Sequence, residues 1–314
     1  MKVLVTDGLD AAALATLRKA HQVDVQELDA KGLLTAIASY EGIIVRSRTK
    51  VTKEVFSRAT RLKVVGRSGV GVDNIDVEEA TARKIVVVNA PTASTVSVAE
   101  LAIGHMVSLL RHLPEADLSV RSGKWEKARF EGRELFGKTL GLLGSGRIGA
   151  EVAKRAQAFG MKVIAHDPYM ASTTANGLGI RLVGKDELFR DADVLSIHAA
   201  LTAETRGLVG APQLSKMKRS AVLVNCARGE IVDEAALADA LRAGTIAGAA
   251  IDVFATEPPV GSPLLTAPNA VFTPHLGAST AEGQARAGAI VAEQVIQVLA
   301  GRRPEFVVNP KVYD

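Results

Sequence analysis

Aromatic residues make up only 4% of this 314-residue chain, with one tryptophan, three tyrosines and eight phenylalanines. Single-stranded nucleic acid is bound by basic side chains interleaved with stacking rings. With so few rings and a net charge of only +4, no nucleic-acid partner is expected. Cysteine is scarcer still. Cys226 stands alone, which excludes an intramolecular disulfide, supplies no cluster of metal ligands and suits a reducing compartment. At the end of an apolar run it reads as a small hydrophobe rather than a reactive thiol, and no metal is expected. Long apolar runs are also missing, and Met1-Lys-Val-Leu-Val-Thr-Asp7 reads as a buried strand ended by an acid, not as a signal peptide. A soluble, cytoplasmic protein without a membrane partner is the expectation. What remains is an ordinary globular balance, 47% hydrophobic and 23% charged, in a chain long enough for two domains.

Apolar, β-branched runs alternate with helical periods, which argues for an α/β class with parallel sheets covered by helices. Five candidate strands come first, at 3–6, 23–26, 42–46, 62–66 and 85–89. Six more follow at 140–143, 162–166, 194–198, 221–226, 247–253 and 271–273, the number a full dinucleotide-binding fold needs. Long helical patterns at 95–113 and 282–300 flank the second series and read as crossings between domains. The tail, with Pro304, Val307-Val308 and Pro310, then returns to the first domain. That domain is expected to be discontinuous, 1–98 and 287–314, with the second domain, 99–286, inserted in it.

The second series opens on Thr139-Leu-Gly-Leu-Leu-Gly144-Ser-Gly146-Arg-Ile-Gly149, a short strand, a G-x-G-x-x-G turn and a helix over 147–159. Gly144 suits the tight turn, Gly146 lets backbone approach a pyrophosphate, and Gly149 lets the helix pack against its strand. The helix N-terminus offers unpaired N–H groups to phosphate. Asp167, eighteen residues beyond the last glycine, ends the next apolar run, where a carboxylate accepts hydrogen bonds from ribose hydroxyls and repels a 2′-phosphate. The expected cofactor is therefore NAD rather than NADP.

Three chemically apt residues follow successive late strands: Arg228, Glu257 and His275. In an open parallel sheet that edge is the ligand edge. Singly, each has an ordinary alternative, an arginine on a surface carboxylate, a solvated loop glutamate, a satisfied structural histidine. Together, in chain order, they fit hydride transfer from a secondary alcohol. His275 takes the hydroxyl proton, Glu257 orients its ring and stabilises the imidazolium, and Arg228 grips a carboxylate next to the reacting carbon. His21, His105, His112, His166 and His198 have no comparable partners and are assigned no role.

These segments, with Val45-Arg46-Ser-Arg-Thr-Lys, Val65-Gly66-Arg67-Ser68-Gly69-Val70-Gly71-Val72-Asp73-Asn74-Ile75-Asp76 and Gly123-Lys-Trp125-Glu, resemble the D-isomer-specific 2-hydroxy acid dehydrogenase family over essentially the whole chain. The resemblance implies two doubly wound parallel-sheet domains, a flavodoxin-like substrate domain and an inserted Rossmann NAD-binding domain. It also implies a homodimer, with Lys124-Trp125-Glu126 packed on the other subunit. It puts Arg147 and Ile148 on the pyrophosphate, the backbone of Cys226, Ala227 and Arg228 along the nicotinamide half, Asp252 near the carboxamide, and His275 and Gly277 on the cofactor as well. Val70, where a hydroxyl residue is common, and Ala199-Ala200 depart from the family pattern.

Within the family the chain is most similar to members that interconvert D-3-phosphoglycerate and 3-phosphohydroxypyruvate, the first step of serine biosynthesis. Arg46 and Arg67, expected to face the cofactor across a cleft, suit a phosphate and a carboxylate, with Ser68, Gly69 and Val70 offering N–H groups beside them and Arg228 and His275 completing the substrate site. A reductase of unphosphorylated hydroxypyruvate or glyoxylate, with uncharged residues more usual at the two arginines, stays open, as does an NADH-sensing corepressor-like protein. The sequence stops soon after Asn309-Pro310, so a C-terminal domain for serine feedback is not expected.

Overall fold

The computed structural model describes residues 1–314. The chain divides into two compact units, residues 1–94 with 278–314, and residues 95–277.

The first unit holds strands β1 (Lys2–Val5), β2 (Gln22–Val25), β3 (Gly42–Val45), β4 (Val64–Arg67) and β5 (Val86–Asn89), all parallel, in the order β2-β1-β3-β4-β5. Continuous apolar runs such as Ile43-Ile44-Val45, fully buried, are what a parallel sheet covered on both faces requires. The order is the flavodoxin-like one. The helix Ala281–Leu299 covers one face. A Cβ on Gly66 of β4 would lie 2.7 and 2.8 Å from methyls of Val291 and Val295, so glycine sets how closely helix and sheet approach. The tail returns as expected: Val308 N–H donates to Val87 O, and Asn309 Oδ1 accepts from Val87 N–H.

The second unit holds β6 (Thr139–Leu143), β7 (Lys162–His166), β8 (Arg181–Leu182), β9 (Val194–Ile197), β10 (Val222–Asn225), β11 (Gly248–Ile251) and β12 (Ala270–Phe272). Their order, β12-β11-β10-β9-β6-β7-β8, is the Rossmann order extended by one strand. The six expected strands are thus seven. The extra one, β8, is two residues long, too short to carry a periodic signal, and is recruited by pairing with β7.

Two further expectations need correction. The long helices do not themselves cross between units. The chain passes at 94/95 and 277/278 rather than 98/99 and 286/287, because Thr95–Leu110 packs with β10–β12 and the helix Arg147–Ala158, while Ala281–Leu299 packs with β3–β5 and the helix Ala11–Ala20. The first pattern, 95–113, also breaks. His112 adopts φ +53° and a separate helix, Leu113–Arg121, starts with Pro114 in its first turn, where proline's missing N–H costs nothing. No helix is long and apolar enough to cross a membrane.

Candidate active site

Strand β6 runs directly into the glycine turn. Gly144 has φ +87°, and a Cβ there would lie 2.7 Å from Ala199 N; a Cβ on Gly149 would lie 2.6 Å from Gly144 O. Both glycines are therefore sterically required, one by the turn and one by the helix pressed onto it. Gly146 is different. A Cβ would meet nothing within 4 Å, and the residue caps Arg147–Ala158 with no side chain of its own. Open space above bare helical N–H groups is what a pyrophosphate needs. Gly146 and Arg147 are exposed and Ile148 is half-buried.

Asp167, just past β7, is tied to this turn. Its Oδ2 accepts from the Ser145 N–H at 2.8 Å and the Ser145 hydroxyl at 3.1 Å, and its Oδ1 accepts from the Tyr169 N–H at 3.0 Å. Burial pushes the carboxyl up, and hydrogen bonds from Ser145, Tyr169 and Met170 more than offset it, leaving its pKa below the ordinary value. Asp167 is thus held as a carboxylate, the form that repels a 2′-phosphate.

The next three loops leave the same edge of the sheet. After β10, Asn225 folds the turn onto itself, donating to Arg228 O at 2.9 Å and accepting from Ala227 N–H at 3.0 Å. The Arg228 guanidinium donates to Ala227 O at 2.7 Å. Cys226 is buried, and burial followed by the charge of Asp252 pushes its thiol up, which keeps it inert. A Cβ on Gly229 would lie 1.9 Å from the Phe254 carbonyl carbon, so glycine allows this turn to rest on the loop after β11. On that loop Glu257 Oε1 accepts from Phe254 N–H at 3.1 Å. After β12, His275 Nδ1 lies 2.8 Å from Glu257 Oε2 and 3.1 Å from Oε1. The His275 and Glu257 side chains are 49% and 39% exposed, so the pair is open to a small molecule. A carboxylate only accepts, so Nδ1 carries a proton and the neutral ring leaves Nε2 as the acceptor.

Two residues expected on the cofactor, Asp252 and Gly277, also hold the histidine loop together. Asp252 is fully buried. Its Oδ1 accepts from the Thr273 hydroxyl at 2.5 Å and Leu276 N–H at 2.7 Å, and its Oδ2 accepts from Gly277 N–H at 2.9 Å. Gly277 is buried with its N–H spent on that bond. Both brace the histidine loop, Asp252 through three donors and Gly277 through its N–H.

In the first unit, Arg67 ends β4 and Arg46 directly follows Val45, its register neighbour on β3. The two arginines thus leave one edge from adjacent strands. Asp7 shapes the turn, accepting from Arg46 N–H at 2.7 Å and from the Thr49 hydroxyl and N–H, and Asn74 ties Arg46 O to Thr49 O. Arg46 is half-buried, and its side chain makes no hydrogen bond or ion pair within the protein. The Arg67 guanidinium lies where a Cβ of Gly69 would be, its Nη1 1.3 Å from that point, so this arginine conformation requires glycine. The amides correct one expectation. Ser68 N–H donates to Val45 O and Gly69 N–H to Arg67 O, so neither is available to an anion, and of the three only the Val70 N–H has no backbone acceptor.

The family model described as "D-isomer specific 2-hydroxyacid dehydrogenase, NAD binding domain" matches residues 103–277. The chain belongs to this family. Its second unit is the NAD binding domain, and NAD is the cofactor. The chain is 50% identical over 311 residues to D-3-phosphoglycerate dehydrogenase of Methanocaldococcus jannaschii, covering 98% of this sequence and 59% of that one. It therefore spans about three fifths of the length of such relatives. Among solved structures it is similar to a Thermus thermophilus protein (TM-score 0.90, 39% identity, covering 98% of this chain and 100% of that one) and to a glyoxylate reductase from Paecilomyes thermophila (TM-score 0.89, 32% identity, 98% of each).

Sequence reasoning missed the residues that hold the site in shape. Asn225, Ser145 and Thr273 lie within two residues of positions it did select, so neighbourhood was the available signal. His105, set aside there, has its ring nitrogen Nε2 3.1 Å from the Thr273 hydroxyl. Nothing in one sequence links residues so far apart.

Proposed function

We propose that the protein is an NAD-dependent oxidoreductase interconverting D-3-phosphoglycerate and 3-phosphohydroxypyruvate. The observation that carries the reading is the His275–Glu257 pair at the ligand edge of the NAD binding sheet. Gly144, Gly146, Gly149 and the N–H groups of Arg147 and Ile148 hold the pyrophosphate, and Asp167 the ribose. Bound NAD supplies the hydride acceptor. His275 Nε2 takes the hydroxyl proton as the alcohol is oxidised, while Glu257 fixes the ring and balances the imidazolium charge. In the reverse direction the same atom returns the proton to the forming alkoxide. Arg228 pairs with the substrate carboxylate, which aligns the reacting carbon.

The phosphorylated substrate is favoured by Arg46, a half-buried cation with no protein partner, by Arg67 on the neighbouring strand, and by the name of the M. jannaschii relative. The glyoxylate reductase on the same fold keeps the unphosphorylated reading as the second choice. The test is NADH absorbance with a panel of 2-keto acids. Fastest consumption is expected with 3-phosphohydroxypyruvate; binding of NADH without turnover of any keto acid would point to a sensor.

The assembly we propose is a homodimer. Trp125 is 84% exposed, and Leu118 and Val120, on the helix just before it, are 69% and 57% exposed. So much apolar surface in one short segment is the mark of an interface. Light scattering should give twice the 32.9 kDa chain mass, and Trp125→Ala should shift the equilibrium toward monomer.

A further inference from the structure

The catalytic loop departs from ordinary backbone geometry. His275 adopts φ +54°, a left-handed conformation that is uncommon for a residue with a side chain and persists only where the surroundings enforce it. The His275 N–H donates to Asp252 O at 2.8 Å and Thr273 O at 3.0 Å. The two amides that follow, of Leu276 and Gly277, donate one to each oxygen of the Asp252 carboxylate. The loop is thus clamped by Asp252, and the orientation of that carboxylate decides where the His275 ring stands.

What orients Asp252 comes from another element. Its third donor is the Thr273 hydroxyl, at 2.5 Å. A hydroxyl has one proton, so with that proton on Asp252 its oxygen can bond a ring nitrogen only by accepting from an N–H. The group in place is His105 Nε2, at 3.1 Å. His105 is 3% exposed and sits on the buried side of Thr95–Leu110, against the core of the NAD binding unit. Burial holds its imidazole below the ordinary histidine pKa, with the Asp252 charge opposing, so at neutral pH the ring has one proton, and the hydrogen-bond pattern puts that proton on Nε2.

We propose that His105 is a positioning residue for the reaction, acting through the Thr273 hydroxyl and the Asp252 carboxylate on the His275 loop. The Nε2–H fixes the hydroxyl rotor of Thr273. The rotor fixes Asp252. Asp252 in turn fixes the amides of Leu276 and Gly277, and so the left-handed turn that presents His275 to Glu257. The inference rests on the acid–base role of His275 proposed above.

The experiment uses His105→Phe, which keeps a ring but no donor, Thr273→Val, which keeps the shape but no hydroxyl, the double variant, and His105→Gln, which restores an N–H donor. Each single loss should lower kcat by roughly three- to tenfold, the net scale of one hydrogen bond, with NADH affinity nearly unchanged. The double variant should be no slower than the slower single one, because both act on one chain of contacts. His105→Gln should recover most of the loss. In deuterated protein without substrate, the Leu276 and Gly277 amide resonances should move in both single variants and return toward their original positions in His105→Gln. Unmoved amide resonances, or kcat losses that multiply in the double variant, would overturn the proposal. The amide signals decide it even if no keto acid is turned over, and if His105→Phe does not fold, His105→Leu, which also lacks a donor, is read in its place. They also separate its failure from failure of the proposed activity.

Discussion

The two sheets are alike in plan and unlike at their ligand edges. In the NAD binding unit the carboxylates and the amide side chain there are already engaged: Asp167 with Ser145, Asn225 with the Arg228 turn, Glu257 with His275, Asp252 with Thr273, Leu276 and Gly277. In the other unit, the cation Arg46 and the Val70 N–H reach the edge with no acceptor. The first pattern pre-organises chemistry, since fixed dipoles need no rearrangement in the transition state. The second leaves hydrogen-bonding capacity that the proposed phosphorylated substrate would fulfil in place of water. On the proposed function, one edge reacts and the other selects.

The largest effect expected on breaking this contrast is at His275. His275→Gln should lower kcat by roughly two to four orders of magnitude, the usual contribution of a positioned general acid–base, while fluorescence titration still detects NADH binding. Glu257→Gln, which keeps a hydrogen-bonding side chain beside Nδ1 but no charge, should lower kcat less. Near-normal turnover in His275→Gln would assign the proton transfer to another group.

Next comes cofactor choice. With Asp167 held as a carboxylate beside the turn, NAD should bind at least about tenfold more tightly than NADP, a ratio that needs only ~1.4 kcal/mol. Titrating both at equal ionic strength checks this, and Asp167→Ala should narrow the gap. Equal affinities in the parent protein would mean that Asp167 serves only to hold Ser145.

The smallest effect concerns a buried group with no proposed part in the chemistry. His198 follows β9, its Nε2 2.8 Å from the Ser196 hydroxyl, its Nδ1 shut off from solvent, and burial lowers its pKa from 6.5 to about 4. Between those values the unfolded chain binds a proton that the folded protein refuses, so the stability due to this group is full above pH 6.5 and is lost as the pH falls toward 4. The Tm of the parent should therefore fall across that window. In His198→Asn the fall should be shallower, by roughly 5 °C at this domain size. An unchanged slope would remove His198 from the acid response.

Much of this was legible in the sequence because parallel sheets write themselves as continuous β-branched runs and because the glycine turn joins three constraints at fixed spacing. The five strands of the first unit, six of the second, the turn and the Arg228, Glu257 and His275 loops could all be read that way. Strand β8 could not, being two residues recruited by pairing. The unit boundaries were misplaced because a long helix looks the same in sequence whether it crosses between units or lies wholly within one. The bracing of the site was hidden for a third reason. His105 and Thr273, or Ser145 and Asp167, meet only after the sheet has formed, and a buried hydrogen bond between distant residues leaves no period or spacing behind. The same holds for Ser68, whose amide is consumed by Val45 O on the neighbouring strand.

The claim that one edge selects and the other reacts is tested most directly by kcat/KM for 3-phosphohydroxypyruvate and for hydroxypyruvate, in the parent protein and in Arg46→Ala and Arg67→Ala. The account predicts that the parent prefers the phosphorylated acid. Loss of the phosphate partner should cut kcat/KM for that acid by roughly ten- to a hundredfold, the scale of a charge-assisted hydrogen bond of about 1.5–3 kcal/mol, with a much smaller loss on hydroxypyruvate. A parent protein that prefers hydroxypyruvate, or arginine variants that weaken both substrates equally, would contradict it.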